Sequence, residues 1–256
     1  MTDPTQPPAA DRPDGEASAG DPEGHQPHQH GADGDDDHDH AHPAHAVIVG
    51  VGPGLGASLA RVFANHGHDL TLVARTAAST GPIASELTRT GRRVLELHVD
   101  ISDLEALAAT IAEASAWQPI TRLHHNASRH AGSLLEADPT ALRDAMAVNA
   151  LAAVTALRAA LPDLAHVGGV VTWTGAGAAI NPTAQYGVLA QGKAALRAAA
   201  FALAPELAER GVRLRMLTVR GSISPGGPLD PDRIAEAFWQ HAEDPHAEVE
   251  LMFHGH

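Results

Sequence analysis

The stretch AQYGVLAQGK, Ala184 to Lys193, places a phenol and an amine on one segment of helical composition. A phenol that gives or takes a proton, beside an ammonium that lowers its pKa from about 10, is a general acid–base pair suited to a carbonyl centre. The spacing resists that reading. Tyr186 and Lys193 are separated by about 10.5 Å of α-helix, against about 6 Å for groups one turn apart. The residue one turn before Lys193 is Leu189, which transfers no proton. Tyr186 approaches a site centred on Lys193 only if the helix starts late or bends; otherwise it is a packing or pocket-lining aromatic.

Other residues with chemical potential are histidines and glycines. His124, His125 and His130 fall at or just after the end of an expected strand, ITRLHHNA, and imidazole can donate a proton near neutral pH. Seven histidines lie within residues 1–45, among eleven acids and one arginine. His38, His40 and His42 are the metal-binding candidates there, since imidazole with carboxylate suits zinc, nickel or copper; nothing in so polar a tract fixes a coordination number, and no metal site is expected in the fold itself. GVGPGLG sets Gly50, Gly54 and Gly56 between a short apolar run and a helical pattern. Glycines there let backbone approach a pyrophosphate, and the helix amino end offers N–H groups and positive dipole to the anion.

The elements that position these groups follow from the alternation of patterns. Residues 1–45, with seven prolines and an acidic excess, carry too little apolar surface to repay ordering and are expected to be a disordered tail. From Ala46 onward β-branched runs alternate with helical spacing: AVIVG, DLTLVAR, RVLELHVD, ITRLHHNA, GGVVTWTG, VRLRMLTV and VELMF as strands, separated by helices such as ASLARVFANHG, GPIASELTRTG and DLEALAATIAEAS. Alternation of this kind predicts an α/β Rossmann-type fold over residues 46–256, a doubly wound parallel seven-stranded sheet with helices on both faces and no room for a second domain. Pro205 is expected to kink or end the helix that follows Tyr186, near Phe201.

With these motifs in this order, the body from Ala46 to Phe253 resembles the short-chain dehydrogenase/reductase family, whose glycine turn G-x-x-x-G-x-G matches Gly50, Gly54 and Gly56. The resemblance implies a dinucleotide held by that turn with Leu55, by Asp100 and Ile101 of HVDISD, by Asn126 and Ala127 of HNAS, and by Gly221, Ile223 and Ser224 of RGSISPGG. It implies catalytic roles for Asn149 of AVNAL and for Lys193. Here the chain departs from the pattern. Anchored on Lys193, the family's tyrosine position holds Leu189, and its serine position holds Ala176 with Gly177 beside it. The shifted alternative makes Tyr186 the acid and Thr174 the orienting hydroxyl, but leaves Ala190 in the lysine position. Val49 and Ser128 replace the family's threonine before the turn and its N-N-A-G glycine. The resemblance therefore implies an oxidoreductase acting on a small carbonyl or alcohol with weak or unusual proton transfer; the alternative is a dinucleotide-binding sensor or partner subunit without turnover.

The second strand ends in Ala74 and Arg75 with no acid to repel a 2′-phosphate, and a guanidinium can fork onto one, so NADP(H) is favoured over NAD(H). Alanine-rich helices at 139–161 and 183–209 predict a homodimer or homotetramer, the family's four-helix mode. The few residues between Gly221 and Asp230 predict a more open, wetter substrate pocket than in relatives with a longer lid. The tail carries about −10 of the formal net charge of −14, and the remainder is nearly balanced, so no basic patch offers a nucleic-acid footprint. The sequence has no cysteine for disulfide or thiolate chemistry, no long wholly apolar run and no export pattern, which together lead to the expectation of a cytoplasmic protein off the membrane.

Overall fold

Asp103, Asp138 and Asp230 each turn a side-chain oxygen back onto the backbone N–H groups that open a helix, and with them the chain punctuates its own strand–helix alternation. Pro139 and Pro231 follow two of these caps as first helical residues, where a missing N–H costs nothing. The computed structural model describes residues 44–255. Its strands are β1 (His45–Val49), β2 (Asp69–Ala74), β3 (Val94–His98), β4 (Arg122–His125), β5 (Val170–Ala176), β6 (Arg213–Val219) and β7 (Glu250–Phe253). Its helices are α1 (Leu55–Asn65), α2 (Ala77–Arg89), α3 (Leu104–Trp117), α4 (Pro139–Met146), α5 (Ala152–Val167), α6 (Gly187–Ala208) and α7 (Pro231–Glu243). The strands form one parallel sheet in the order β3-β2-β1-β4-β5-β6-β7, as expected from the alternation.

Successive residues of a strand face opposite layers, and both layers are apolar. Ala46 and Ile48 of β1 pack with α1, α2 and α7, whereas Val47 and Val49 pack with α3, α5 and α6. All of β1 and β2 is buried, which explains why neither strand shows the polar alternation of a half-exposed one. Helix Pro139–Val167 is long and apolar enough to cross a bilayer, but more than half of its most apolar window is buried in the core, where it packs on α3 and α6.

Several boundaries differ from the expectations. α2 begins at Ala77, not near Gly81, and α5 continues past Leu161 to Val167. α6 runs through Pro205 to Ala208 and does not end near Phe201. Pro82, Pro162 and Pro205 all sit inside helices, and the residues four places earlier, Ala78, Arg158 and Phe201, are exposed. A carbonyl that loses its N–H partner to proline on a solvent-facing side has water in reach, which limits the loss. Between α4 and α5 the helix widens into a π turn, Ala147–Leu151, centred on Asn149. Gly192 of α6 packs against this turn so closely that a Cβ there would lie 2.5 Å from Cβ of Asn149.

His45 belongs to the fold and not to the tail: it opens β1, with Nδ1 2.7 Å from the Gln118 carbonyl and Nε2 2.8 Å from Thr71 Oγ1. His38, His40 and His42 lie outside the described residues, and no cluster of metal-ligating side chains occurs among those described. His124 and His125 are corrected as proton donors. Both are wholly buried, His124 between Thr172 Oγ1 at 2.7 Å and Thr174 Oγ1 at 3.1 Å, and His125 with Nε2 donating to the Val148 carbonyl at 3.1 Å.

Burial disfavours the imidazolium, with the charge of Lys193 adding to it at His125, whose pKa falls to about 3. Burial, then Arg122, likewise takes His68 to about 4. These folded values lie below the ordinary 6.5, so between them and 6.5 the unfolded chain binds protons that the folded chain refuses. The contribution of these two histidines to stability is therefore fully present above pH 6.5 and falls as the pH drops toward 4. Denaturant titrations across pH 4–7 should show this decline, and His125→Leu should flatten the slope by up to one proton, about 1.4 kcal/mol per pH unit.

Candidate functional site

The strand order reverses direction between β1 and β4, and a crevice opens at the carboxyl ends of these two strands. After β1 the chain turns at Gly50, whose φ of +94° suits only glycine; a Cβ there would lie 2.5 Å from the Ala127 nitrogen. Asn126, first residue after β4, ties the surrounding loops. Its N–H donates to the Val49 carbonyl at 2.8 Å, its Nδ2 to the Gly50 carbonyl at 3.1 Å, and its Oδ1 accepts from Thr174 Oγ1 of β5 at 3.1 Å. Gly54 is the exposed N-cap of α1, and this helix end carries no side-chain cap, in contrast to the aspartate-capped α3, α4 and α7. An uncapped amino end beside a glycine turn is an anion site in waiting.

Two cavities share Asn126 and Ser128 as lining residues, and the smaller of them takes in this turn. The smaller, about 380 Å³, is lined by Gly50, Arg75, Asp100, Ile101 and Ala127 among others. Arg75 is exposed at the tip of β2 beyond buried Ala74. Asp100 accepts from the N–H of Ser102 at 3.0 Å and from its hydroxyl at 2.8 Å; those bonds, then Arg75 and Arg129, hold its carboxyl below the usual range. The larger cavity, about 700 Å³, takes in Leu55, Thr174, Tyr186, Leu189, Lys193 and the segment Val219–Ile223. Ser224 does not line it; its N–H bonds back to the Leu229 carbonyl at 3.1 Å. Gly56 is buried in the first turn of α1 and, like Gly54, lines neither cavity.

Lys193 is the only lysine in the chain. Its amine is buried and donates to the carbonyls of Thr174 at 2.9 Å and Ala127 at 3.1 Å, and burial lowers its pKa to about 7. Asn149 does not reach the cavity. Its carboxamide sits in the π turn and clasps the backbone of Arg129, Oδ1 accepting from N–H at 2.7 Å and Nδ2 donating to the carbonyl at 2.9 Å. Leu189 is buried one turn before Lys193, and Ala176 and Gly177 line the same cavity without hydroxyls.

Tyr186 is where the late helix start matters. It lies in a 3₁₀ turn, Ala184–Tyr186, immediately before α6 begins at Gly187, and so is off the helical face of Lys193 yet in the same cavity. Its ring meets His130 edge-on at 5.9 Å. Ser128, Asn181, Thr183 and Arg220 also line this cavity and had no place among the sequence candidates. Arg220 follows the last residue of β6, and strand carboxyl ends are where such folds bind ligands, so that signal was present in the chain.

A family model described as short chain dehydrogenase matches residues 44–223. Galactitol 2-dehydrogenase (L-tagatose-forming) of Cereibacter sphaeroides is 33% identical over 175 residues, 64% of this chain and 65% of that protein, so the chain spans less than two thirds of this curated relative. Among solved structures, a metagenomic short-chain oxidoreductase in complex with NADP superposes with a TM-score of 0.73 at 26% identity, covering 82% of this chain and 96% of that one. A short chain dehydrogenase from Burkholderia cenocepacia in complex with NADP gives a TM-score of 0.76 at 22% identity, covering 83% and 96%, a likeness of fold.

The buried amine makes a measurable claim. With a folded pKa of about 7 against 10.5 for an ordinary lysine, the unfolded chain holds one more proton between these values, so stability rises with pH across that window. Protein labelled with ε-¹³C-lysine should give one side-chain resonance titrating near pH 7, and Lys193→Met should remove the corresponding rise in stability. A midpoint near 10 would contradict the burial.

Proposed function

The chain belongs to the short-chain dehydrogenase family, and from that premise we propose that it is an NADP(H)-dependent oxidoreductase acting on a small carbonyl or alcohol, with slow proton transfer supplied by Tyr186. The observation that carries this reading is the pair of cavities that share Asn126 and Ser128, the smaller lined by the Gly50 turn and the larger by the buried Lys193. NADP(H) supplies the hydride when bound. The chain's residues would hold the nucleotide: Gly50, Leu55 and the uncapped end of α1 at Gly54 would receive the diphosphate, with Gly56 letting the first turn of α1 pack closely on Val51. Asp100, Ile101 and Ala127 would border the adenosine side, and Lys193 would hold the ribose near the reacting centre. Gly221 and Ile223 would border the nicotinamide side, while Ser224, outside the cavity lining, secures the turn through its N–H bond to the Leu229 carbonyl. Asn149 keeps the 126–130 loop in place through Arg129.

Preference for NADP(H) rests on Arg75 at the tip of β2, where Ala74 offers no carboxylate against a 2′-phosphate. The NADP carried by the 26%-identical metagenomic enzyme is in keeping with it. The proton role falls to Tyr186 because residues 189 and 176 have no hydroxyl, while the late start of α6 brings the phenol into the cavity lining. A second reading, an NADP(H)-binding protein without turnover, is favoured by the same leucine and alanine.

Fluorescence titration should show NADPH bound about tenfold or more tightly than NADH, with Arg75→Ala weakening NADPH about tenfold and leaving NADH unchanged. On a panel of ketones and aldehydes, Tyr186→Phe should lower kcat by about 10²-fold or more without changing NADPH affinity. Binding of NADPH with no oxidation on any carbonyl supports the second reading; failure to bind either nucleotide removes both.

We also propose that the chain forms a homodimer or homotetramer through the faces of 139–161 and 183–209. In support, Leu151 and Phe201 expose 46% and 45% of their surface on these segments. Sedimentation of the double variant Leu151→Asp with Phe201→Asp should shift the species to monomer.

A further inference from the structure

The larger cavity has an unusual charge character for so acidic a chain. No aspartate or glutamate lines it, while Lys193, Arg220 and His130 do, in a protein of formal net charge −14. Arg61, Arg93, Arg122, Arg129, Arg197 and Arg210 are all paired with carboxylates. Arg220, like several other arginines, has no carboxylate within ion-pair distance among the described residues, and neither has Lys193, but Arg220 is the one arginine among the described residues that lines this cavity.

The placement of Arg220 is specific. Its backbone is fixed at the end of β6, where its N–H donates to the Phe253 carbonyl at 2.9 Å. Its side chain runs beside Gly177, at which a Cβ would lie 3.4 Å from both Cα and Cδ of the arginine. The guanidinium has one neutral partner, the side-chain oxygen of Asn181, which accepts from it at 3.0 Å once the Asn181 amide is oriented to satisfy both of its ends. A guanidinium carries five N–H donors in a planar fork matched to a carboxylate, so most of its capacity is unspent. The same cavity also has an apolar lining that includes Leu55, Leu189, Val219 and Ile223.

We propose that Arg220 is a specificity-determining residue that binds the carboxylate of an oxo-acid or hydroxy-acid substrate, its fork steadied by Asn181, with the carbon chain against the apolar lining residues. This rests on the oxidoreductase reading above and names its substrate class. The other anion that competes for the guanidinium is the diphosphate of the nucleotide itself, which the α1 amino end is built to receive.

The test uses full-length protein and two matched pairs of probes, levulinate and 2-oxo-4-phenylbutanoate, each with its methyl ester. NADPH affinity is measured first by fluorescence, then kcat/KM for each probe, and, where turnover is too slow to follow, equilibrium binding of each probe to the NADPH-saturated protein. The expected result is preference for at least one acid over its ester, with Arg220→Gln reducing kcat/KM or affinity for that acid about 10- to 100-fold, leaving the ester within about twofold, and Arg220→Lys recovering part of the loss. NADPH affinity should stay within about twofold in both variants, which also shows that they fold. Equal treatment of acid and ester by the wild type, equal losses on both in Arg220→Gln, or loss of NADPH affinity in that variant each overturns the proposal. A wild type that binds no nucleotide defeats the oxidoreductase reading and this proposal with it; one that binds NADPH but ignores the carboxylate defeats this proposal alone.

Discussion

Where Gly50 passes Ala127, two backbone segments approach more closely than any side chain at residue 50 would permit, and the crevice owes its shape to that contact. The approach brings the β1 turn against the loop after β4, and the Asn126 carboxamide then closes the gap by bonding Gly50 on one side and Thr174 of β5 on the other. Three strand ends are thus held by one amide. Thr174 passes the restraint inward to His124 through its hydroxyl and outward to Lys193 through its carbonyl. Ala127 supplies the second carbonyl for the same amine. A shift of any strand end relative to the others therefore moves the lysine.

This arrangement places polar groups where burial is costly. Lys193 has two neutral carbonyl partners and no carboxylate, and the wholly buried His125 is left with Nδ1 unpartnered. Apolar replacements of similar volume cost less in such positions, and the fold carries the penalty on the strong packing of its two apolar layers. The π turn at Asn149 belongs to the same economy. It interrupts a helix that packing would otherwise keep regular, and it aims a carboxamide at the Arg129 backbone so that the loop between β4 and α4 does not float free.

Much of the architecture was legible because the signals are local and strong. Strands such as HAVIV and DLTLVA are apolar on both faces, and aspartate caps with following prolines mark where α4 and α7 begin. Membership of a dinucleotide-binding family was legible for a related reason: Gly50, Asn126 and Lys193 stand at strand ends or helix turns where few residue types serve. What escaped was tertiary in origin. Nothing local announces a π turn. Pro205 reads as a break, yet α6 runs through it to Ala208. His45, His124 and His125 read as polar, whereas threonine hydroxyls and backbone carbonyls satisfy them in the interior. Arg220 drew no reading from the sequence, and only the fold reveals that the cavity it lines contains no carboxylate. Tyr186 reads as helical by composition, while the 3₁₀ turn that frees it from α6 depends on how residues 177–183 enter the helix.

The single lysine has a further implication for the outer surface of this protein. Every other fixed positive side chain is an arginine, so the exterior presents guanidinium groups and no primary amine apart from the chain's amino terminus. Acylating reagents and carbonyl metabolites that decorate ordinary proteins at exposed ε-amines find no such handle on this one. Their one internal target lies at the floor of the crevice, where only a molecule shaped to enter it can react, and where attachment is countable as a single adduct.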